Sequence, residues 1–135
     1  MQEFFIIIFT VFLAYFTAQL LKIFTHKKLS FKDFLFGTGG TPSAHTSAIV
    51  SLPIIIFLLT GLSIHLAISL ILMVLVIRDS LGVRYAVGEN AIILKKKFPK
   101  EKVIISEGHT IKDVVAGALI GIIISLMVFL WLNIF

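Results

Sequence analysis

From Phe34 to Ile77 the chain carries no Asp, Glu, Lys or Arg, a run of 44 residues. Soluble domains do not tolerate such a run, because about a quarter of their residues are charged. A bilayer does, and one spanning helix needs about 20 apolar residues. The run is too long for one span and suits two. Gly61, followed by Leu62 and Ser63, marks the expected break. One helix is expected from Pro42 to Leu59, mildly kinked at Pro53, and the next from Ile64 to Ile77 or beyond.

Two further apolar stretches complete the pattern. Phe4 to Leu21 is uncharged over 18 residues, and Ile111 begins an apolar stretch that reaches the C-terminus. The first stretch has no basic leader and no small-residue cleavage site, so it is expected to be a permanent helix and not a signal peptide. With 59% apolar and 14% charged residues, the expectation is an all-α integral membrane protein. Four transmembrane helices form a compact bundle, and residues 1–135 form a single membrane-embedded domain.

Most of the basic residues fall in two polar segments, Lys22–Asp33 and Arg78–Lys112. Two spans separate them, so both lie on one side of the membrane. The positive-inside rule makes that side the cytoplasm, with both termini outside and the cell (inner) membrane as the expected location. Clusters of this kind meet anionic lipid headgroups, and nucleic acid is not an expected partner. The run from Lys95 to Lys102 is expected as a solvated loop at those headgroups. The chain has no Cys and only four His, with no set of His, Asp and Glu at metal spacing. Neither a disulfide, a metal nor a cofactor is expected.

Two polar motifs stand at the starts of apolar helices. The first is Gly39-Gly40-Thr41-Pro42-Ser43-Ala44-His45. Thr41 suits an N-cap and Pro42 the first helical position. Gly40 leaves backbone amides open, Ser43 adds a hydroxyl, and a helix N-terminus favours an anion. His45 then lies within the first turn, placed to move a proton. The plainer reading is a capped helix start with an incidental histidine.

The second motif is Glu107-Gly108-His109-Thr110-Ile111-Lys112-Asp113. His109 and Asp113 are four apart, a spacing that puts them on one helix face. A carboxylate on one imidazole nitrogen would leave the other free to attack or to accept a proton. The plainer reading is a capping box, in which Thr110 and Asp113 satisfy backbone donors. Beyond the motifs, Gly117 and Gly121 continue in register with Asp113, and Ser47 and Ser51 in register with Ser43. Small residues spaced by four let membrane helices approach closely, which would bring His45 and His109 to one depth. Lys22, Arg78 and Arg84 stand at the same expected interface. Arg84 has Glu89 as its nearest free acid and is the better candidate phosphate ligand, since Asp79 neighbours Arg78. Lys22 is also explained by snorkelling.

Taken together, these residues resemble the type 2 phosphatidic acid phosphatase superfamily, which includes vanadium haloperoxidases. Pro42-Ser43-Ala44-His45 is similar to its Pro-Ser-Gly-His signature, and His109-x-x-x-Asp113 to its last signature. Ala18-Gln19-x-x-Lys22, Gly39-Gly40-x-Pro42-Ser43 and Asp79-Ser80-x-Gly82-Val83-Arg84 resemble a divergent branch of that family. The resemblance implies a metal-independent phosphatase acting on a membrane lipid phosphate. His109 would be the nucleophile, Asp113 its orienting carboxylate and His45 the general acid. Ser43, Gly40, Lys22, Arg84 and Arg78 would bind phosphate. The chain departs from the family in three places: no Arg-Pro follows Lys22, no Ser-Arg precedes His109, and Ala44 replaces Gly.

The expected activity is hydrolysis of a lipid phosphate or diphosphate monoester: phosphatidylglycerophosphate, phosphatidate or a polyprenyl diphosphate. The missing arginines keep a second class open, a non-catalytic lipid-phosphate-binding or scaffolding protein. A third is a channel or transporter subunit with His109 and Asp113 on a proton path, which four helices would build only as a homo-oligomer.

Overall fold

The computed structural model describes residues 1–25, 40–103 and 109–134. The described residues form five helices and no strand: α1 (Gln2–Thr25), α2 (Ala44–Thr60), α3 (Ile64–Leu81), α4 (Val83–Lys97) and α5 (Ile111–Ile134). Four of them stand where the four spans are expected. α1, α3 with its continuation, and α5 are each long and apolar enough to cross a bilayer. α2 is as apolar but has 17 residues, about 26 Å at 1.5 Å per residue.

The first part of the expected polar stretch from Arg78 to Lys112 is not a simple loop. α3 runs on to Leu81, and after the single residue Gly82 the chain enters α4. Val83, Val87 and Ala91, four apart, give α4 a helical stripe, yet it starts without a side-chain cap. The missing cap explains why its start leaves no mark in the sequence. Part of the Lys95–Lys102 run is helix as well. Lys95, Lys96 and Lys97 form the last turn of α4, where they complement the helix dipole. Lys95 Nζ donates to the carbonyls of Pro99 (3.2 Å) and Glu101 (2.9 Å), closing the turn beyond.

The hairpin between α2 and α3 is built as its residues suggest. Gly61 adopts φ +66°, a conformation that favours glycine, and its N–H bonds Phe57 O. Ser63 caps α3 by accepting from Leu66 N at 3.2 Å.

α2 is the hub of the bundle and lies parallel to α5. An added Cβ on Gly117 would stand 2.4 Å from Ser43 O, and one on Gly121 2.5 Å from Ser47 O. One turn further, Ser125 Oγ donates to Ser51 O at 3.2 Å, an offset of 74 residues. Three successive contacts therefore keep a single register. α1 runs antiparallel to α2 and packs against both α2 and α5, with Ser47 Oγ donating to Ala14 O at 2.9 Å. Its buried stripe is Thr10, Ala14, Ala18 and Lys22, spaced by four. Small residues replace large ones on these faces because helices in lipid gain by close approach, not by hiding apolar surface from water. Most of the large apolar side chains point outward, where a bilayer solvates them, with Ile55 and Ile56 among those buried.

The register also sets the depth of α2. Continuing the 74-residue offset places Ala44, the first residue of α2, beside residue 118 of α5. α5 begins seven residues earlier, so it overhangs the start of α2 by about 10 Å.

This packing predicts that Gly117→Ala and Gly121→Ala each destabilise the bundle, by about 1–3 kcal/mol as overpacking does. Leu119, exposed on the outer face of α5, should tolerate Ala with little change. Thermal unfolding of detergent-solubilised protein checks this, and equal melting temperatures for all three variants would refute the close α2–α5 register.

Candidate active site

The chain enters α2 differently from the expected cap. Ser43, not Thr41, is the N-cap, and Pro42 precedes the helix in a cis Thr41–Pro42 peptide. Both Thr and Ser cap well, so composition does not decide between them. The geometry does, because Ser43 Oγ accepts from Thr46 N (3.3 Å) and Thr46 Oγ1 (3.0 Å). Gly40 has φ +80°, a turn conformation that glycine adopts freely. Ser43 is fully buried and its oxygen serves the cap, so it forms the floor under the site. His45 is the second residue of α2, and it is exposed. Its ring meets the Tyr15 ring edge-on at 5.8 Å between centroids. Gly39, Glu107 and Gly108 lie outside the described residues, as do His26 to Asp33.

The start of α5 realises the capping box. Thr110 N and Thr110 Oγ1 donate to Asp113 Oδ2 at 2.7 and 2.8 Å, and Asp113 N donates to Thr110 Oγ1 at 3.4 Å. Thr41 Oγ1 donates to the other carboxylate oxygen, Asp113 Oδ1. The expected hydrogen bond from His109 to Asp113 is therefore not made. His109 precedes the cap, outside the helix, so the four-residue spacing does not put it on the helical face. His109 is buried, and its Nδ1 has no partner.

Asp113 ties the two motifs together. Besides the Thr41 bond, its backbone carbonyl accepts from Ser43 N at 3.0 Å. Thr25, in the last turn of α1, joins the same corner by donating to Thr41 O at 2.6 Å. The end of α1 and the starts of α2 and α5 thus meet at one end of the bundle. Thr41 carries much of this meeting, and no sequence signal marks it as more than a cap candidate.

The cations divide. Lys22 is only 5% exposed and lies on the packing face of α1, which excludes snorkelling toward headgroups as its role in this bundle. Arg84, on α4, pairs with Asp79 through Nε at 2.7 Å, not with Glu89. The pairing follows from the α3–α4 corner, which brings residues five apart together across Gly82. Lys22, His45, Asp113 and Arg84 all lie close enough to His109 to act on its charge. Lys22 and Arg84 do the same for His45. Arg78 is not in this group. It borders a separate, mostly apolar depression with Val74, Ile77, Leu81 and Gly82.

His109 opens onto a cavity of about 570 Å³ that it shares with Leu81, Tyr85, Thr110, Ile111 and Lys112. Burial, and then the Lys22 charge, hold its pKa below the ordinary histidine value, with His45 and Arg84 adding and Asp113 opposing. The shift favours the neutral imidazole. Tyr15 and Tyr85 are neighbours of the site that motif reading passes over, and Asp79, read there only as part of a motif and as the neighbour of Arg78, is the partner of Arg84. Tyr15 had a signal, since it lies seven residues before Lys22 on one face of α1. No cluster of three or more metal-ligating side chains occurs among the described residues.

No curated protein and no solved structure matches the chain. A family model does match, described as the divergent PAP2 family, over residues 3–124. That span takes in every residue of the site, from Lys22 to Asp113. It identifies a phosphatase-related family of membrane proteins, in keeping with the apolar bundle. The chain belongs to the divergent PAP2 family, the divergent branch of the type 2 phosphatidic acid phosphatases.

Proposed function

We propose that the protein is a membrane lipid phosphatase that hydrolyses a lipid phosphate or diphosphate monoester through a phosphohistidine. One observation carries this reading: two histidines at the adjacent starts of parallel helices, with Lys22 and Arg84 beside them. Parallel helices turn both positive dipole ends toward the same end of the bundle, and two cations add to that field. A phosphoryl group is the ligand such a field suits.

In this mechanism a neutral imidazole nitrogen of His109 attacks phosphorus, and the N–P bond forms as the P–O bond to the leaving group breaks. His45 gives its proton to the departing oxygen. Water then attacks the phosphohistidine, His45 takes the water proton, and the P–N bond breaks to release inorganic phosphate. Asp113 acts on His109 by charge, favouring the cation that phosphorylation creates, while its hydrogen bonds hold the two helix starts. Lys22, Arg84 and the backbone at Gly40 neutralise phosphoryl oxygens. The rival reading, a non-catalytic lipid-phosphate-binding protein, draws on the carboxylate of Asp113, which is bonded to Thr41 and Thr110 and not to His109.

The positive-inside argument puts this site at the cytoplasmic face and favours a lipid of the inner leaflet. The chain has no cysteine, so a single cysteine at Lys97 is labelled only from its own side. Labelling by an impermeant reagent in inverted vesicles, and not in intact cells, is expected; the reverse pattern overturns the orientation.

Purified protein offered phosphatidylglycerophosphate, phosphatidate and a polyprenyl diphosphate, with chelator present, should release phosphate from at least one. His109→Ala should lower that rate by on the order of 10³-fold or more. Binding of the lipid phosphate without release would favour the rival reading.

The pH profile gives a second check. Because His109 must be neutral to attack, kcat/KM should fall as pH drops through a pKa below the ordinary value of about 6.5. Lys22 lowers that pKa, so Lys22→Gln should move the acid limb to higher pH, in addition to weakening substrate binding. An acid limb that stays in place in Lys22→Gln would remove Lys22 from the surroundings of the nucleophile.

A further inference from the structure

Arg84 stands in an unusual position for a residue that binds substrate. It lies on a helix that follows α3 after one residue, Gly82, and that helix has no side-chain cap. A backbone joint of this kind does not by itself fix the angle between two helices. A Cβ on Gly82 would lie 3.0 Å from Arg78 O, so the joint is already tight on one side. Across the joint, Asp79 on α3 accepts from Arg84 Nε on α4 at 2.7 Å. Only Nε is used in that bond, which leaves the two terminal nitrogens of the guanidinium as donors. Arg84 acts on the charge of both histidines, whereas Asp79 is not among the groups that act on His109. The carboxylate therefore restrains the arginine at Nε and leaves its terminal nitrogens to face a ligand.

We infer that Asp79 is a positioning residue: its carboxylate bridges the Gly82 joint and holds Arg84 by Nε, so that the terminal guanidinium nitrogens bind the phosphoryl group between His45 and His109. This rests on the phosphate-binding part of the proposed function. Both partners are nearly half exposed, and an exposed ion pair contributes little to stability. Its value lies in orientation, because a planar guanidinium held by one nitrogen loses less freedom on binding an anion.

A double-mutant cycle separates positioning from plain structure. Asp79→Ala and Arg84→Ala should each raise KM on the order of tenfold, with a smaller change in kcat. The double variant should be no worse than Arg84→Ala alone, because Asp79 acts only through the arginine. Asp79→Glu should recover part of the loss. Thermal unfolding should change little in all of them. Additive losses, or a large fall in melting temperature for Asp79→Ala, would overturn the assignment and leave Asp79 a stabiliser of the corner. The same cycle is run in the Kd of inorganic phosphate. If the protein binds phosphate but hydrolyses nothing, the catalytic reading falls while a non-additive cycle in Kd upholds the role of Asp79. If it binds no phosphate, both fall.

Discussion

Everything at the site depends on how closely α2 and α5 approach. Gly117 and Gly121 put the backbone of α5 against the carbonyls of Ser43 and Ser47, leaving no room even for a methyl group. Lipid offers no hydrophobic drive to press helices together, so close van der Waals contact and interhelical hydrogen bonds must do it. The contact also fixes register. Because the two helices are parallel and α5 overhangs α2, the entry to α2 packs beside the first turns of α5, and Asp113 joins the two there.

That arrangement has an electrostatic cost, since two helix starts and two cations crowd one corner. Asp113 offsets it. Its carboxylate accepts from both threonines while its backbone carbonyl accepts from Ser43. A single acidic residue thus neutralises part of the field and joins the two helix starts.

The parts of this design that were legible in the sequence share one trait: they depend on local composition. The charge-free run, the Gly61 break and the small residues at intervals of four each name a physical requirement of helices in lipid. The capping box was legible too, as the plainer of two readings of Thr110 and Asp113. What stayed hidden depends on where a helix begins. Placing the α2 cap at Thr41 instead of Ser43 conceals that Thr41 is free to reach Asp113. Counting His109 as part of a helix puts it on the face of Asp113, although it lies before the cap. Reading residues 78 to 112 as loop conceals the α3–α4 corner, and with it the pairing of Asp79 with Arg84. Arg78, as close in sequence, falls on another side of α3.

The bundle also divides the site between two bodies. His45, His109 and Lys22 belong to α1, α2 and α5, which are locked by backbone contacts and buried small residues. Arg84 belongs to the α3–α4 arm, whose buried residues are few: Leu66, Ser69 and Ser80 on α3, Gly88 and Ala91 on α4. A swing of this arm changes the distance from guanidinium to histidine and leaves the distance between the histidines alone. The spacing of the two histidines is therefore set within the α1–α2–α5 group, and the position of Arg84 relative to them by how the α3–α4 arm sits on α2.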